Sequence, residues 1–182
     1  MRRALLGLLL LGCGGKEAVA PEGPVNPEIE VKLGKELFQE GKYAEAAEAF
    51  KRVTLRAPVN PFTAEAEYYL GLCYLKMKDY ERAEGSFQGV INFFPKSPFA
   101  PKAYLGLAEA QLRQAPPVQR DQAKTQEAIS TLEEFKRRYP DADSLMPRAD
   151  SLLKEAKERL AEKMLIAIRV YENLGKWDAE LH

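Results

Sequence analysis

The chain has 182 residues, 46% of them hydrophobic and 30% charged, which is enough for one domain with a continuous core. Lys plus Arg total 27 and Asp plus Glu total 27. This balance gives no field that would draw a polyanion, so nucleic acid is excluded as the main partner.

The first element is a basic head, Met1-Arg2-Arg3, followed by an apolar run from Ala4 to Leu11 and then Gly12-Cys13. That order is the order of a secretory signal. The apolar run is far shorter than the roughly 20 residues that span a bilayer. Leu10-Leu11-Gly12-Cys13 resembles a lipobox, in which cleavage precedes the cysteine and its thiol takes up diacylglycerol. The competing reading is an ordinary signal peptide with a chance cysteine. Twelve residues before the cysteine is short for a lipoprotein signal and leaves the start codon open. Gly14 stands where an Asp would favour the inner membrane in enterobacterial-type sorting, so the expected location is the outer membrane, lipid-anchored and facing the periplasm. Two or three acyl chains, such as palmitate, anchor stably because each buried CH2 contributes about 0.8 kcal/mol. No cofactor is expected beyond the covalent lipid on Cys13.

Residues 14–27 read GGKEAVAPEGPVNP, rich in Gly and Pro and poor in apolar bulk. The expected division is a signal peptide at 1–12, the lipidated Cys13 with a flexible tether to residue 27, and a helical domain over 28–182. Once Cys13 is acylated only Cys73 remains, flanked by Leu72 and Tyr74. It reads as a buried structural thiol, with no internal disulfide.

The helical domain repeats. Leu33, Gly34, Leu37, Tyr43, Ala46, Phe50, Val53 and Pro58 recur 37 residues later as Leu70, Gly71, Tyr74, Tyr80, Ala83, Phe87, Val90 and Pro95. Leu33, Gly34 and Leu37 share one face of a first helix; Ala46, Phe50 and Val53 share one face of a second. Gly34 and Ala46 allow the two helices to cross closely, Phe50 fills the seam between neighbouring hairpins, and Pro58 stops the second helix. Gly41-Lys42-Tyr43 supplies the turn, and Lys78-Asp79-Tyr80 its counterpart. A third repeat carries Leu107, Ala108, Ala128, Leu132, Phe135 and Pro140, with a longer turn around the adjacent Pro116 and Pro117. Pro147 to about Leu174 reads as one long helix bearing Leu152, Leu153, Ala156, Leu160, Met164, Ile168 and Tyr171 at helical spacing. Gly175-Lys176-Trp177 repeats the first turn, and the sequence ends before a second helix, which reads as a truncated fourth repeat.

These positions resemble the tetratricopeptide (TPR) motif, whose usual period is 34 residues. The expected fold is all-α: a right-handed TPR superhelix of antiparallel helix pairs. It holds about three and a half repeats, near 27–60, 64–97 and 101–142, with an incomplete one at 145–182. Gln119-Arg120-Asp121-Gln122, Ala128, Phe135, Tyr139-Pro140, Arg159-Leu160-Ala161-Glu162, Val170-Tyr171, Gly175 and Trp177 resemble one TPR family in particular. It is the BamD family, the lipoprotein subunit of the β-barrel assembly machinery. The resemblance implies a scaffold that receives unfolded outer-membrane barrel proteins by a C-terminal aromatic segment. It also implies contact with the central barrel subunit and other lipoproteins of the assembly complex. Three and a half repeats, against the family's usual five, put that last contact in doubt.

First helices of such a stack line its concave side. The motif places Val31, Lys35, Phe38, Glu65, Tyr68, Leu72, Lys102 and Leu105 there. Tyr68, Phe38 and Leu72 are expected to hold an apolar side chain, and Lys35 or Lys102 a carboxylate. The competing reading makes Leu72 and Phe38 plain core. Enzyme chemistry has little support: the single histidine is His182, and there is no Cys–His pair, phosphate loop or HExxH. Other envelope scaffolds compete: a pilotin lipoprotein for a pilus secretin, or a Tol-Pal-linked cell-division coordinator.

Overall fold

The computed structural model describes residues 25–118 and 120–173. Cys13, the tether and the turn Gly175-Lys176-Trp177 lie outside the described residues. Seven helices follow in chain order, and no strand occurs among the described residues: α1 (Pro27–Gln39), α2 (Tyr43–Arg56), α3 (Thr63–Lys76), α4 (Tyr80–Phe93), α5 (Ala100–Gln114), α6 (Ala123–Arg138) and α7 (Met146–Asn173). Each helix packs antiparallel on the next, so the fold is three helical hairpins followed by one long helix. The odd-numbered helices also touch one another, α1 on α3, α3 on α5 and α5 on α7, whereas α2, α4 and α6 make no mutual contact. The stack therefore closes toward the odd helices and opens toward the even ones, which defines a concave and a convex side.

The ends of the elements follow from local chemistry. Asn26 caps α1, its side-chain oxygen accepting from the Glu28 and Ile29 amides, and Pro27 opens the helix. Gly41 turns the first hairpin at φ +79°, and Lys78 takes the same left-handed position in the second at φ +62°. Asp79 then caps α4 by accepting from the Arg82 amide at 3.2 Å. Between hairpins, Asn60 and Ser97 perform one task 37 residues apart: each side-chain oxygen accepts from the amide two residues on, Phe62 at 2.7 Å and Phe99 at 3.2 Å.

The core is the seam of aromatic and small residues. Phe50, Phe87 and Phe135 are fully buried, as are Ala46, Ala83 and Ala128. A Cβ on Gly34 would stand 2.7 Å from the Phe50 ring, and one on Gly71 2.7 Å from the Phe87 ring, so only glycine admits these rings at this spacing. Phe87 is held from both sides, because a Cβ on Gly106 of α5 would stand 2.5 Å from it. Phe50 meets the next hairpin differently, stacking on Tyr69 at 5.4 Å between ring centroids. Cys73 is fully buried, and burial pushes its thiol up to about 12.

Equivalent residues do not all share one fate. Leu70 and Leu107 are 5% and 6% exposed, but Leu33 is 40% exposed. Leu70 lies beside Lys51, Thr54 and Leu55 of the preceding hairpin, whereas α1 has no hairpin before it among the described residues.

The extended third turn is residues 115–122, where the earlier hairpins use 40–42 and 77–79. Its backbone is ordered by two side chains. Gln122 is 2% exposed and donates from Nε2 to the carbonyls of Pro117 at 3.1 Å and Pro116 at 3.3 Å, while Thr125 donates to its Oε1 at 2.8 Å. Arg159 reaches across from α7, donating to the carbonyls of Leu112 at 3.1 Å, Pro116 at 3.1 Å and Ala115 at 3.4 Å. The guanidinium thus satisfies the open carbonyl end of α5, where a cation is also favoured by the helix dipole.

Candidate functional site

The eight residues expected on the concave side lie on α1, α3 and α5 and divide into three groups. Val31 and Leu105 are 4% and 3% exposed and offer a ligand little surface. Both belong to the core, where Val31 also floors a shallow depression of about 350 Å³ between α1 and α3, rimmed by Lys35, Phe62 and Glu65. Phe38 and Leu72 are half-buried and pack against the core. Phe38 sets its ring edge-on to Tyr43 at 5.2 Å and to Tyr69 at 5.9 Å.

The charged pair on this side is internally matched. Lys35 Nζ donates to Glu65 Oε1 at 2.9 Å and lies 5.5 Å from the Tyr69 ring centre. That hydrogen bond, more than the opposing burial, raises the Lys35 pKa above its ordinary value. A ligand carboxylate at Lys35 has to compete with Glu65.

The third group is the accessible one. Tyr68 is half-buried at the centre of an aromatic cluster: Phe99 at 5.4 Å, Tyr69 at 5.5 Å and Phe87 at 6.0 Å between centroids. Lys102 is exposed, lies 5.3 Å from the Phe99 ring centre, and has no ion pair among the described residues. Exposed cation, half-buried phenol and aromatic ring therefore form one continuous patch running from α3 to α5. Burial raises the Tyr68 pKa; Arg148 of α7 opposes this, and Tyr69 and Glu109 reinforce it. Arg148 is ion-paired with Glu109 of α5. The patch is thus bounded on its far side by a charge pair that joins α5 to α7.

Phe99, Tyr69, Glu109 and Arg148 join this surface without having been singled out from sequence. In the sequence Phe99 is a loop residue 37 positions after Phe62. Nothing in the spacing shows that its ring turns inward onto Tyr68. Among the described residues no group of His, Cys, Asp and Glu could hold a metal ion, and no helix is long and apolar enough to cross a membrane.

Several solved structures of low sequence identity share this architecture. The second TPR domain of human RPAP3, in complex with an HSP70 peptide, is similar at 23% identity and TM-score 0.57, covering 72% of this chain and 98% of that one. The Yersinia enterocolitica type III secretion chaperone SycD, in complex with a peptide of the translocator YopD, is similar at 22% identity and TM-score 0.59, covering 72% and 92%. A TPR protein of Thermus thermophilus, TTC0263, is similar at 22% identity and TM-score 0.54, covering 84% and 85%. These likenesses establish the TPR fold. No curated protein matches the chain in sequence. The outer membrane lipoprotein family YfiO matches residues 31–182, from the first buried residue of α1 to the last residue of the sequence, and the chain belongs to that family.

Proposed function

We propose that this protein is an outer-membrane lipoprotein scaffold of the β-barrel assembly machinery, anchored through acylated Cys13 and receiving unfolded barrel proteins on its concave side. The observation that carries the reading is family membership across the whole helical domain. The reading keeps the chain in three parts: a signal peptide at 1–12, the lipidated tether, and the TPR domain from residue 28. The other subunits of the complex, including the central barrel protein, are its assembly partners. No cofactor and no catalytic residue enter; the work is binding.

The concave patch suits an extended segment that ends in an aromatic residue. An incoming ring finds Tyr68, Phe99 and half-buried Leu72, and the terminal carboxylate finds Lys102, the cation there not already held by an acid. Lys35 is the weaker candidate for that carboxylate because Glu65 occupies it. Two of the similar structures, RPAP3 and SycD, were solved with peptides bound. That makes peptide capture by a stack of this shape physically reasonable.

The test is a titration of a barrel-derived C-terminal peptide against the full chain. Tyr68→Ala and Lys102→Ala are each expected to weaken binding about tenfold, the order of one lost aromatic contact or one charge-assisted hydrogen bond. Lys35→Ala is expected to change it less. Affinity unchanged in both Tyr68→Ala and Lys102→Ala removes the patch as the receiving site. Co-purification with a secretin or with peptidoglycan-linked proteins, in place of barrel-assembly subunits, would redirect the function.

A further inference from the structure

In an antiparallel hairpin the start of the first helix lies beside the end of the second. Here that is fixed by an ion pair: Arg52 in the last turns of α2 donates from Nη2 to Glu30 in the first turn of α1 at 2.8 Å. The loops joining the hairpins, residues 57–62 and 94–99, lie along the same edge of the stack. They are held together there: Asn60, Pro61 and Ala64 share one depression of about 460 Å³ with Phe93, Phe94, Pro95, Lys96, Ser97 and Pro98. Tyr139, at the end of α6, continues the row by donating its hydroxyl to the Pro95 carbonyl at 3.2 Å. So the entry of the chain at Asn26 and the inter-hairpin loops share one edge, and the tight turns at Gly41 and Lys78 form the opposite edge.

The two edges differ in chemistry. The inter-hairpin edge carries Val59 at 96% exposure, Phe93 at 79% and Leu55 at 77%, the three most exposed large hydrophobic side chains among the described residues. Pro58, Pro61, Pro95 and Pro98 are exposed beside them. The hairpin-turn edge exposes mainly Glu40, Gly41, Lys42, Lys76 and Lys78, with Met77 only 37% exposed among them. Single exposed apolar residues are ordinary, but three of this size gathered at the C-terminal ends of α2 and α4 and on the loop after α2 mark a surface that meets something apolar. The charged groups nearby are mixed: Lys96 beside the loops, Glu28 at the start of α1, and Arg137, Arg138, Asp141 and Asp143 at the third loop.

We infer that this inter-hairpin edge, led by Val59, Phe93 and Leu55, rests in the interface of the lipid bilayer that holds the anchor. The inference depends on acylation of Cys13. Val25 follows Cys13 by twelve positions, a length that reaches about 40 Å when fully extended and less as a coil. The tether joins the domain at this same edge, so the anchor brings these side chains to the membrane before any other part of the molecule. Aromatic and aliphatic groups at helix ends and short loops, with prolines that leave few amides to desolvate, suit the depth between headgroups and acyl chains. The stack would then stand with its helices steep to the membrane and its concave side open to the periplasm.

The experiment uses the acylated full-length chain on vesicles of phosphatidylethanolamine and phosphatidylglycerol. An environment-sensitive fluorophore is placed at Val59→Cys, at Phe93→Cys, or, on the opposite edge, at Lys76→Cys; buried Cys73 stays unlabelled. The expected result is a blue shift at positions 59 and 93, with quenching by nitroxide-bearing acyl chains, and neither effect at position 76. If the protein floats with the vesicles while the labels at 59 and 93 keep their aqueous emission, the edge does not touch lipid. The anchor then stands, and the surface belongs to a protein partner. A wild-type chain that fails to float removes the anchor and this orientation together. A Cys13→Ser chain that floats as well as wild type removes the lipid anchor alone, and the labels still decide the edge.

Discussion

The seam between hairpins is decided by single carbon atoms. Phe87 sits between two glycines of different helices, Gly71 and Gly106, each positioned so that a Cβ would lie inside its ring's contact distance. Gly106→Ala is therefore expected to destabilise the protein by about 1–3 kcal/mol through overpacking, and Phe87→Ala by about 3–5 kcal/mol through the cavity it leaves. Denaturant unfolding measures both. An equal, near-zero effect of Gly106→Ala would mean that α5 can shift outward freely. Glu67 supplies a second residue-scale prediction. Burial raises its pKa, with the Ser86 hydrogen bond opposing. Its folded value lies above its unfolded one, so its contribution to stability is full at low pH and is lost as pH rises through the raised value. Glu67→Gln is expected to raise the melting temperature at neutral pH and to remove that pH dependence. Loss of stability at neutral pH in this variant would show that the carboxylate is held by its partners and is not merely tolerated.

At the scale of elements, the third turn and the long helix are one unit. Arg159 binds three carbonyls at the end of α5 and the start of the turn, and its buried Nε has no partner among the described residues. Gln122 holds the other side of the same loop. The Arg159-Leu160-Ala161 run, which resembles a family motif, thus has a structural role in this chain: it fastens α7 to the loop that follows α5. Arg159→Ala is expected to cost about 2–3 kcal/mol, since it leaves three part-buried carbonyls without a charged donor. Amide exchange should accelerate at residues 115–122 and along α7, and stay unchanged in α1–α4. Acceleration spread evenly over all helices would show that Arg159 supports the whole stack and not this junction. Insertion length and clasp go together, because an eight-residue turn exposes backbone that a three-residue turn does not.

For the molecule as a whole, a stack in which each unit touches only its neighbours is stable locally, and its ends are its weakest parts. The first half of α7 packs Ala149, Leu152 and Ala156 into the core, all below 9% exposure. In its second half Met164, Leu165, Ile168, Val170 and Tyr171 are 40–66% exposed. Amide exchange is expected to be faster over residues 162–173 than over 149–160 by at least tenfold, as fewer packed side chains resist local opening. Uniform protection along α7 would mean that its second half is covered in solution. The division across the described residues is then by face: odd helices present the aromatic patch, and the inter-hairpin edge exposes Val59, Phe93 and Leu55.

The helical period, the 37-residue recurrence and the alternation of small and aromatic residues are short-range properties, readable from one strand of text because each hairpin repeats the same local solution. They sufficed for the fold and for which helices face inward. They did not distinguish Leu33 from Leu70, since burial of that position depends on whether another hairpin lies behind it. Nor could they show that Lys35 is engaged by Glu65, or that Phe99 closes over Tyr68 while Lys102 has no ion pair among the described residues. Arg159 likewise reads in sequence only as part of a motif that resembles a family's, and its carbonyl partners, more than 40 residues earlier, are visible only in the fold. The sequence determined the repeating unit because that depends on residues three to seven apart. Only the tertiary structure decided which side chains remain available, because availability is set by neighbours that the chain brings together from different repeats.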